Sequence, residues 1–241
     1  MKHFALIGAP GVGKGTFAKI ISERLSLQHI SVGDMLRNLI QQPKQSSKHL
    51  TEELSSFMSK GKLIPDQLIC KIVSTEINLS QNILLDGFPR SDHSHPPCLL
   101  HYQFRTLSQA QFLSQSLPNL NVLHVKLKKQ IAIQKLLGRR SCNGCGGNFN
   151  VADVINEEYL MPAILPNPNK CPLGSEQCQE KQQLVLRSDD TESTIATRFE
   201  IFETEMAPIL EFYRERNQLK EFVVRRGVED SDDLIKLMIG S

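Results

Sequence analysis

The segment Gly8-Ala9-Pro10-Gly11-Val12-Gly13-Lys14-Gly15-Thr16 constrains this chain more than any other stretch. An apolar run, Phe4-Ala5-Leu6-Ile7, leads into it. Apolar residues at helical spacing, Phe17, Ile20, Ile21 and Leu25, lead out. Strand, glycine-rich turn and helix in that order are what a phosphate-binding loop requires. The glycines let successive backbone N–H groups turn inward around phosphate oxygens, and the helix N-terminus adds a favourable field. Lys14 supplies a charge for the outer phosphates. An ordinary glycine-rich turn would need neither the lysine nor this spacing. The hydroxyl that usually follows the lysine directly is displaced by Gly15 and arrives at Thr16. A hydroxyl on magnesium is therefore not assumed, and the variant points towards kinases of small molecules.

A chain of 241 residues can hold one sizeable α/β domain with insertions, or two small ones. Its 40% hydrophobic and 22% charged content are those of a water-soluble globular protein. A formal charge of +2 gives no general reason to expect nucleic acid or an anionic membrane as a partner. No apolar run is long enough to span a bilayer. Met1 runs almost directly into the first strand, so the cytoplasm is expected, or a mitochondrion or plastid if a presequence is missing. Four of the six cysteines, Cys142, Cys145, Cys171 and Cys178, lie in one segment, which in a reducing compartment suggests metal before disulfide.

Along the chain, strands are expected at 4–7, 28–30, 83–85, 122–127 and 222–224. Helices are expected after the first loop, around Met35-Leu36-Arg37, through Leu54, Phe57 and Met58, from Pro65 or Asp66 onwards, over 106–117, over 129–140 and over 232–239. A long helix opens at Asp189-Asp190-Thr191-Glu192 and is expected to be disturbed or broken at Pro208. Alternating strands and helices imply a parallel sheet with helices on both faces. Ligands collect at the C-terminal ends of strands in such sheets. The first strand here ends in the phosphate loop, the second in Ser31–Asp34 and the third in Asp86-Gly87-Phe88-Pro89-Arg90. Asp86 suits a carboxylate that holds magnesium through water, or a turn cap. The planar fork of Arg90 suits phosphate.

GAPGVGKGTFAK, SVGDMLR, GKLIPD, LLDGFPR, TLSQA, GRR-x-C, LRSDD and TR, in this order, resemble the adenylate kinase family of nucleoside monophosphate kinases, of the cysteine-bearing, long-lid type. The resemblance covers nearly the whole chain. It implies a P-loop NTPase fold of class α/β with a central five-stranded parallel sheet. It also implies a helical flap for the nucleoside monophosphate (31–66) and a lid (140–187). ATP would lie on Gly11, Val12, Gly13, Lys14, Gly15 and Thr16, with Arg139, Phe149 and Asn150 from the lid. AMP would contact Val32, Arg37, Lys62, Leu63, Ile64, Gly87, Phe88, Pro89, Arg90 and Gln109. Arg187 and Arg198 would close over the transferring group. They stand eleven positions apart, about three helical turns, which could put both on one face. Asp189 and Asp190 are either helix caps or part of what holds the lid closed.

The resemblance implies reversible transfer of the terminal phosphoryl group from Mg-ATP to AMP, giving two ADP, by a monomer. Lys14, Asp86, Arg90, Arg139, Arg187 and Arg198 would be the catalytic set. Phosphoryl transfer to an anionic phosphate needs no general base, so alignment and charge stabilisation remain as the task. The alternatives are a GTP donor, another acceptor, or a nucleotide-binding protein without turnover. Three features depart from the family. Val32 stands where Thr or Ser is usual. An extra loop, 91–105, separates GFPR from TLSQA. In the lid, Cys142 and Cys145 form a regular first pair, but Cys171 and Cys178 are spaced irregularly. A zinc-bearing lid and a lid held by hydrogen bonds both stand.

Overall fold

The structure, a computed structural model, describes residues 2–31, 35, 39, 48–59, 65–77, 81–86, 106–142, 147–167, 184–186 and 190–240. Five parallel strands form the central sheet: β1 (His3–Gly8), β2 (Gln28–Ser31), β3 (Ile83–Asp86), β4 (Leu120–Lys126) and, last in the chain, β10 (Leu219–Val223). Their order is β10-β4-β1-β3-β2. The fully buried β1 and β3 read as unbroken apolar runs because helices cover both faces of the sheet. From β1 the chain builds β2 and β3 on one side, then crosses to β4 on the other. The order therefore switches at β1, and the crevice at its C-terminal end is where such a sheet binds ligands.

The helices are α1 (Lys14–Leu25), α2 (Lys48–Ser59), α3 (Asp66–Glu76), α4 (Leu107–Ser116), α5 (Lys129–Leu137), α6 (Glu192–Glu215) and α7 (Ser231–Ile239). Ala5, Ile7, Ile83, Leu85 and Val122 pack with α3, α4 and α6 on one face. Phe4, Leu6, Leu84, Leu123 and Val125 pack with α1 and α7 on the other. The alternation along β1 thus feeds two separate cores. Between α5 and α6 lie short strands: β5 (Arg139–Cys142), β6 (Asn148–Asn150) and β9 (Leu184–Val185) in one antiparallel sheet, and the hairpin β7 (Val154–Ile155) with β8 (Leu160–Met161).

Four expectations are corrected. The helix over 129–140 stops at Leu137, because Arg139 and Arg140 leave it to pair with Asn150 and Phe149 of the neighbouring strand as β5. α6 runs unbroken through the exposed Pro208, since Met206, Ile209, Phe212 and Tyr213 bury its apolar stripe on either side. That packing outweighs a proline penalty of about 3 kcal/mol. The last strand begins at Leu219 rather than Phe222, paired with Val122 to Lys126 of β4. Finally, α6 begins at Glu192 with Thr191 as its cap, the Thr191 hydroxyl accepting from Thr194 N–H. Asp190 is not its cap, and Arg187, on which the three-turn spacing to Arg198 rests, lies outside the described residues.

The hairpin β7–β8 falls within 140–187 yet packs on the core. Val154, Tyr159 and Met161 are buried with Phe4, Leu6, Val224 and Leu234. Leu160 N–H donates to Arg225 C=O at 2.9 Å, and Lys128 pairs with Glu158. Lys135 on α5 donates its ammonium to the carbonyls of Ala152 (2.9 Å) and Met161 (2.8 Å).

Candidate active site

The loop after β1 is shaped by two glycines in left-handed backbone, Gly11 at φ 85° and Gly13 at φ 88°. A side chain on Gly11 would also collide with the Ala132 carbonyl of α5, at 2.4 Å from its Cβ. Only glycine meets both conditions. Val12 is buried and anchors the loop, while Gly13, Gly15 and Thr16 leave the start of α1 exposed. Four N–H groups at a helix start have no intrahelical partner, so this open end presents donors to an incoming anion. Lys14, the first residue of α1, donates its ammonium to the carbonyls of Gly8 (2.7 Å) and Ala9 (2.9 Å). It is folded back onto the first two residues of the loop.

Asp86 ends β3 level with Leu6 of β1 and Ser31 of β2. It is buried, and its Oδ2 lies 3.4 Å from where a Cβ on Gly15 would stand. The carboxylate therefore faces the phosphate loop. An acceptor-only group at that place fits a magnesium ion held through water beside the phosphates. His29 Nε2 is 3.6 Å from the same Oδ2. The sequence showed His29 only as part of a strand.

On the other flank of the loop stands a carboxylate between two guanidiniums. Asp190, fully buried, accepts two parallel bonds from Arg139 on β5, Nε to Oδ2 and Nη2 to Oδ1, each 2.6 Å. Arg198 on α6 donates to Oδ1 at 3.4 Å. The cluster sits beside the phosphate loop because Ala132 and Leu136 of α5 and Ile195 and Phe199 of α6 pack together against Ala9. The bidentate geometry is the strong form of an arginine–carboxylate contact. Of the two roles read for Asp190, capping is excluded by Thr191. Arginine holding was legible only as closure of a lid.

Phe149 and Asn150 lie on β6 opposite Arg140 and Arg139. The Asn150 amide donates to Lys135 C=O at 2.8 Å and accepts from Ala152 N–H at 3.0 Å, and its backbone pairs with Ile164. In this arrangement Asn150 is a joint between α5 and β6. Gln109, in the first turn of α4, is buried and donates through Nε2 to Asp66, the first residue of α3. The same carboxylate accepts from the hydroxyls of Thr106 and Ser108, both at 2.6 Å. In the sequence alone Asp66 shows itself only as a helix start. Val32, Arg37, Lys62, Leu63, Ile64, Gly87, Phe88, Pro89, Arg90, Arg187, the loop 91–105 and Cys145, Cys171 and Cys178 lie outside the described residues. Cys142 is buried on β5, and among the described residues no group of three or more His, Cys, Asp or Glu could hold a metal. No described helix is long and apolar enough to cross a membrane.

The family model for adenylate kinase matches residues 6–218. The chain belongs to the adenylate kinase family. It is 36% identical to the GTP:AMP phosphotransferase of Plasmodium falciparum, over 98% of this chain and 96% of that protein. It is 34% identical to a probable chloroplastic adenylate kinase 6 of Arabidopsis thaliana, over 95% of this chain and 72% of that one. With the adenylate kinase of Clostridium botulinum the identity is 31%, over 97% of both. As a member of the adenylate kinase family the chain is a nucleoside monophosphate kinase, and the family implies use of magnesium-bound nucleotides.

Proposed function

We propose that this enzyme transfers the terminal phosphoryl group of Mg-ATP to AMP, giving two ADP. The observation that carries the reading is the set of charges around one loop: Lys14 folded back onto it, Asp86 facing Gly15, and Arg139 and Arg198 held on one carboxylate beside it. The donor's phosphates would take the N–H groups of Gly13 to Thr16, and the Lys14 ammonium would leave the Gly8 and Ala9 carbonyls for them. Asp86 would hold magnesium through water, and the ion supplies charge neutralisation between the outer phosphates. Arg139 and Arg198 face the group in transit, where charge spreads over three oxygens as the bond to the leaving phosphate lengthens. The AMP phosphate is already anionic, so no side chain has to remove a proton. Arg90 and Arg187, proposed for the acceptor phosphate and the transferring group, complete the set. The enzyme works as a monomer in this reading.

A second donor has a specific observation behind it. The Plasmodium relative carries GTP in its name and matches over nearly the full length of both chains. The donor panel is therefore the deciding experiment. Initial rates with AMP fixed and ATP, GTP, CTP or UTP varied are expected to favour ATP in kcat/KM. A preference for GTP would move the donor assignment and keep the acceptor. Absence of turnover with every donor would overturn the enzyme.

A further inference from the structure

The last turn of α5 is closed by a ring of hydrogen bonds that ends on the residue where it starts. Asn150 Nδ2 donates to the Lys135 carbonyl at 2.8 Å, and Ala152 N–H donates to Asn150 Oδ1 at 3.0 Å. Lys135 Nζ then donates to the Ala152 carbonyl at 2.9 Å. The same ammonium donates to the carbonyls of Met161 at 2.8 Å and Pro162 at 3.4 Å. Burial pushes it below the ordinary lysine range, against the opposing charge of Asp153. Three carbonyls thus stand where burial has removed water, which is the condition for holding a charge there.

Gly138 shows how closely the ring is drawn. Its backbone is right-handed, which any residue can adopt. A Cβ there would nevertheless stand 2.4 Å from Ala152 Cβ, 2.6 Å from Asn150 Oδ1 and 2.8 Å from Ala152 N. Glycine is required by close approach rather than by φ. The Gly138 carbonyl in turn accepts from Val151 N–H at 2.8 Å. Arg139 follows directly and pairs across the strands with Asn150. The ring therefore fixes the backbone from which the Arg139 side chain starts, while Asp190 fixes its guanidinium.

We propose that Lys135 and Asn150 are positioning residues for Arg139. Their ring holds the first residue of β5 where its guanidinium can meet the phosphoryl group in transit. Both ends of the Asn150 amide are engaged inside the ring, so Asn150 acts through Arg139 rather than by holding ATP. Misplacement by about 1 Å can lower a rate about a hundredfold, so a root held this tightly matters to transfer. The inference rests on the catalytic role proposed for Arg139.

The test is a double-mutant cycle read in kcat and in the KM for ATP at saturating AMP, with melting temperatures as controls. Arg139→Ala is expected to lower kcat about a hundredfold or more. Asn150→Ala is expected to lower it about tenfold or more, with the KM for ATP moving less than about threefold. In the Arg139→Ala background, Asn150→Ala is expected to change kcat by less than about twofold, because the group it positions is gone. A merely structural role would multiply the two losses, and that result would overturn the proposal. So would a raised KM for ATP with kcat retained, which would make Asn150 a contact of the nucleotide. Should Asn150→Ala fail to fold, Lys135→Met takes its place in the same cycle with the same expectations, since it opens the ring but leaves both Asn150 bonds in place. The catalytic reading fails differently. An Arg139→Ala enzyme with undiminished kcat would remove Arg139 from catalysis, and the inference with it. A crippled Arg139→Ala beside an unimpaired Asn150→Ala would overturn the inference alone.

Discussion

Asp190 holds Arg139 by two parallel 2.6 Å hydrogen bonds in a site where the carboxylate is fully buried. Asp190 stands fifty-one positions after Arg139, and the pair ties the strand that opens the segment after α5 to the residue just before the cap of α6. Because Arg198 shares Oδ1, one negative charge orients two positive ones. Removing it would take the carboxylate they share away from both guanidiniums. For Asp190→Ala the expected cost is about 3 kcal/mol in urea unfolding. Turnover is expected to fall about a hundredfold, beyond what the residual folded fraction explains. Unchanged kcat at full folding would remove the cluster from catalysis.

Lys14→Met should leave a folded protein with little activity. The loop is shaped by Gly11 and Gly13 and anchored by Val12, none of which depends on the ammonium. The melting temperature is expected to move by a few degrees at most. The kcat should fall about a hundredfold to a thousandfold, the scale for losing one preorganised partner of transition-state charge. A large loss of stability with modest loss of kcat would assign Lys14 to holding the loop.

The hairpin β7–β8 should behave as core. Tyr159 is 3% exposed and packs with residues of the central sheet and α7. Tyr159→Ala is expected to cost about 3 kcal/mol in global unfolding. A hairpin that swings away as part of a separate flap would lose far less, and a cost below about 1 kcal/mol would show that.

Stability should decline in mild acid through His124. Burial, the largest influence, pushes its imidazolium below the ordinary range, against the opposing pull of Glu221 at 3.2 Å, with Lys126 and Lys14 adding to the downward shift. The folded state therefore binds this proton less readily than the unfolded chain. The contribution is complete above the unfolded value of about 6.5 and is lost as pH falls through the lower folded value. Burial pushes Glu221 up, but His124 and Lys126 outweigh it and the net shift is downward, so its own loss comes at lower pH. Urea unfolding at pH 7.5 and 5.5 should show a drop that His124→Gln reduces; an unchanged drop would exclude His124 as its source.

The phosphate loop was legible because glycines, lysine and flanking apolar runs act locally, within one turn of chain. The end of α5 was less legible, because Gly138 keeps right-handed backbone and the pairing of Arg139 with Asn150, eleven positions on, is what takes it out of the helix. Asp189, Asp190 and Thr191 can each cap a helix, and only the distant Arg139 decides which of them does something else. Asp66 looked like any acidic residue in a first helical turn, because its partners Thr106, Ser108 and Gln109 lie forty or more positions away. Pro208 is illegible for the same reason: the apolar surface that overrides it belongs to other elements.

The proposed phosphoryl transfer is tested most directly by following the phosphorus itself. Purified enzyme is incubated with AMP and a nucleoside triphosphate labelled at the γ-phosphate, ATP and GTP in separate reactions, and the products are separated. Label is expected in the β-phosphate of ADP formed from AMP, with little in inorganic phosphate. Label released as inorganic phosphate, or retained in the donor under both conditions, would contradict transfer to AMP.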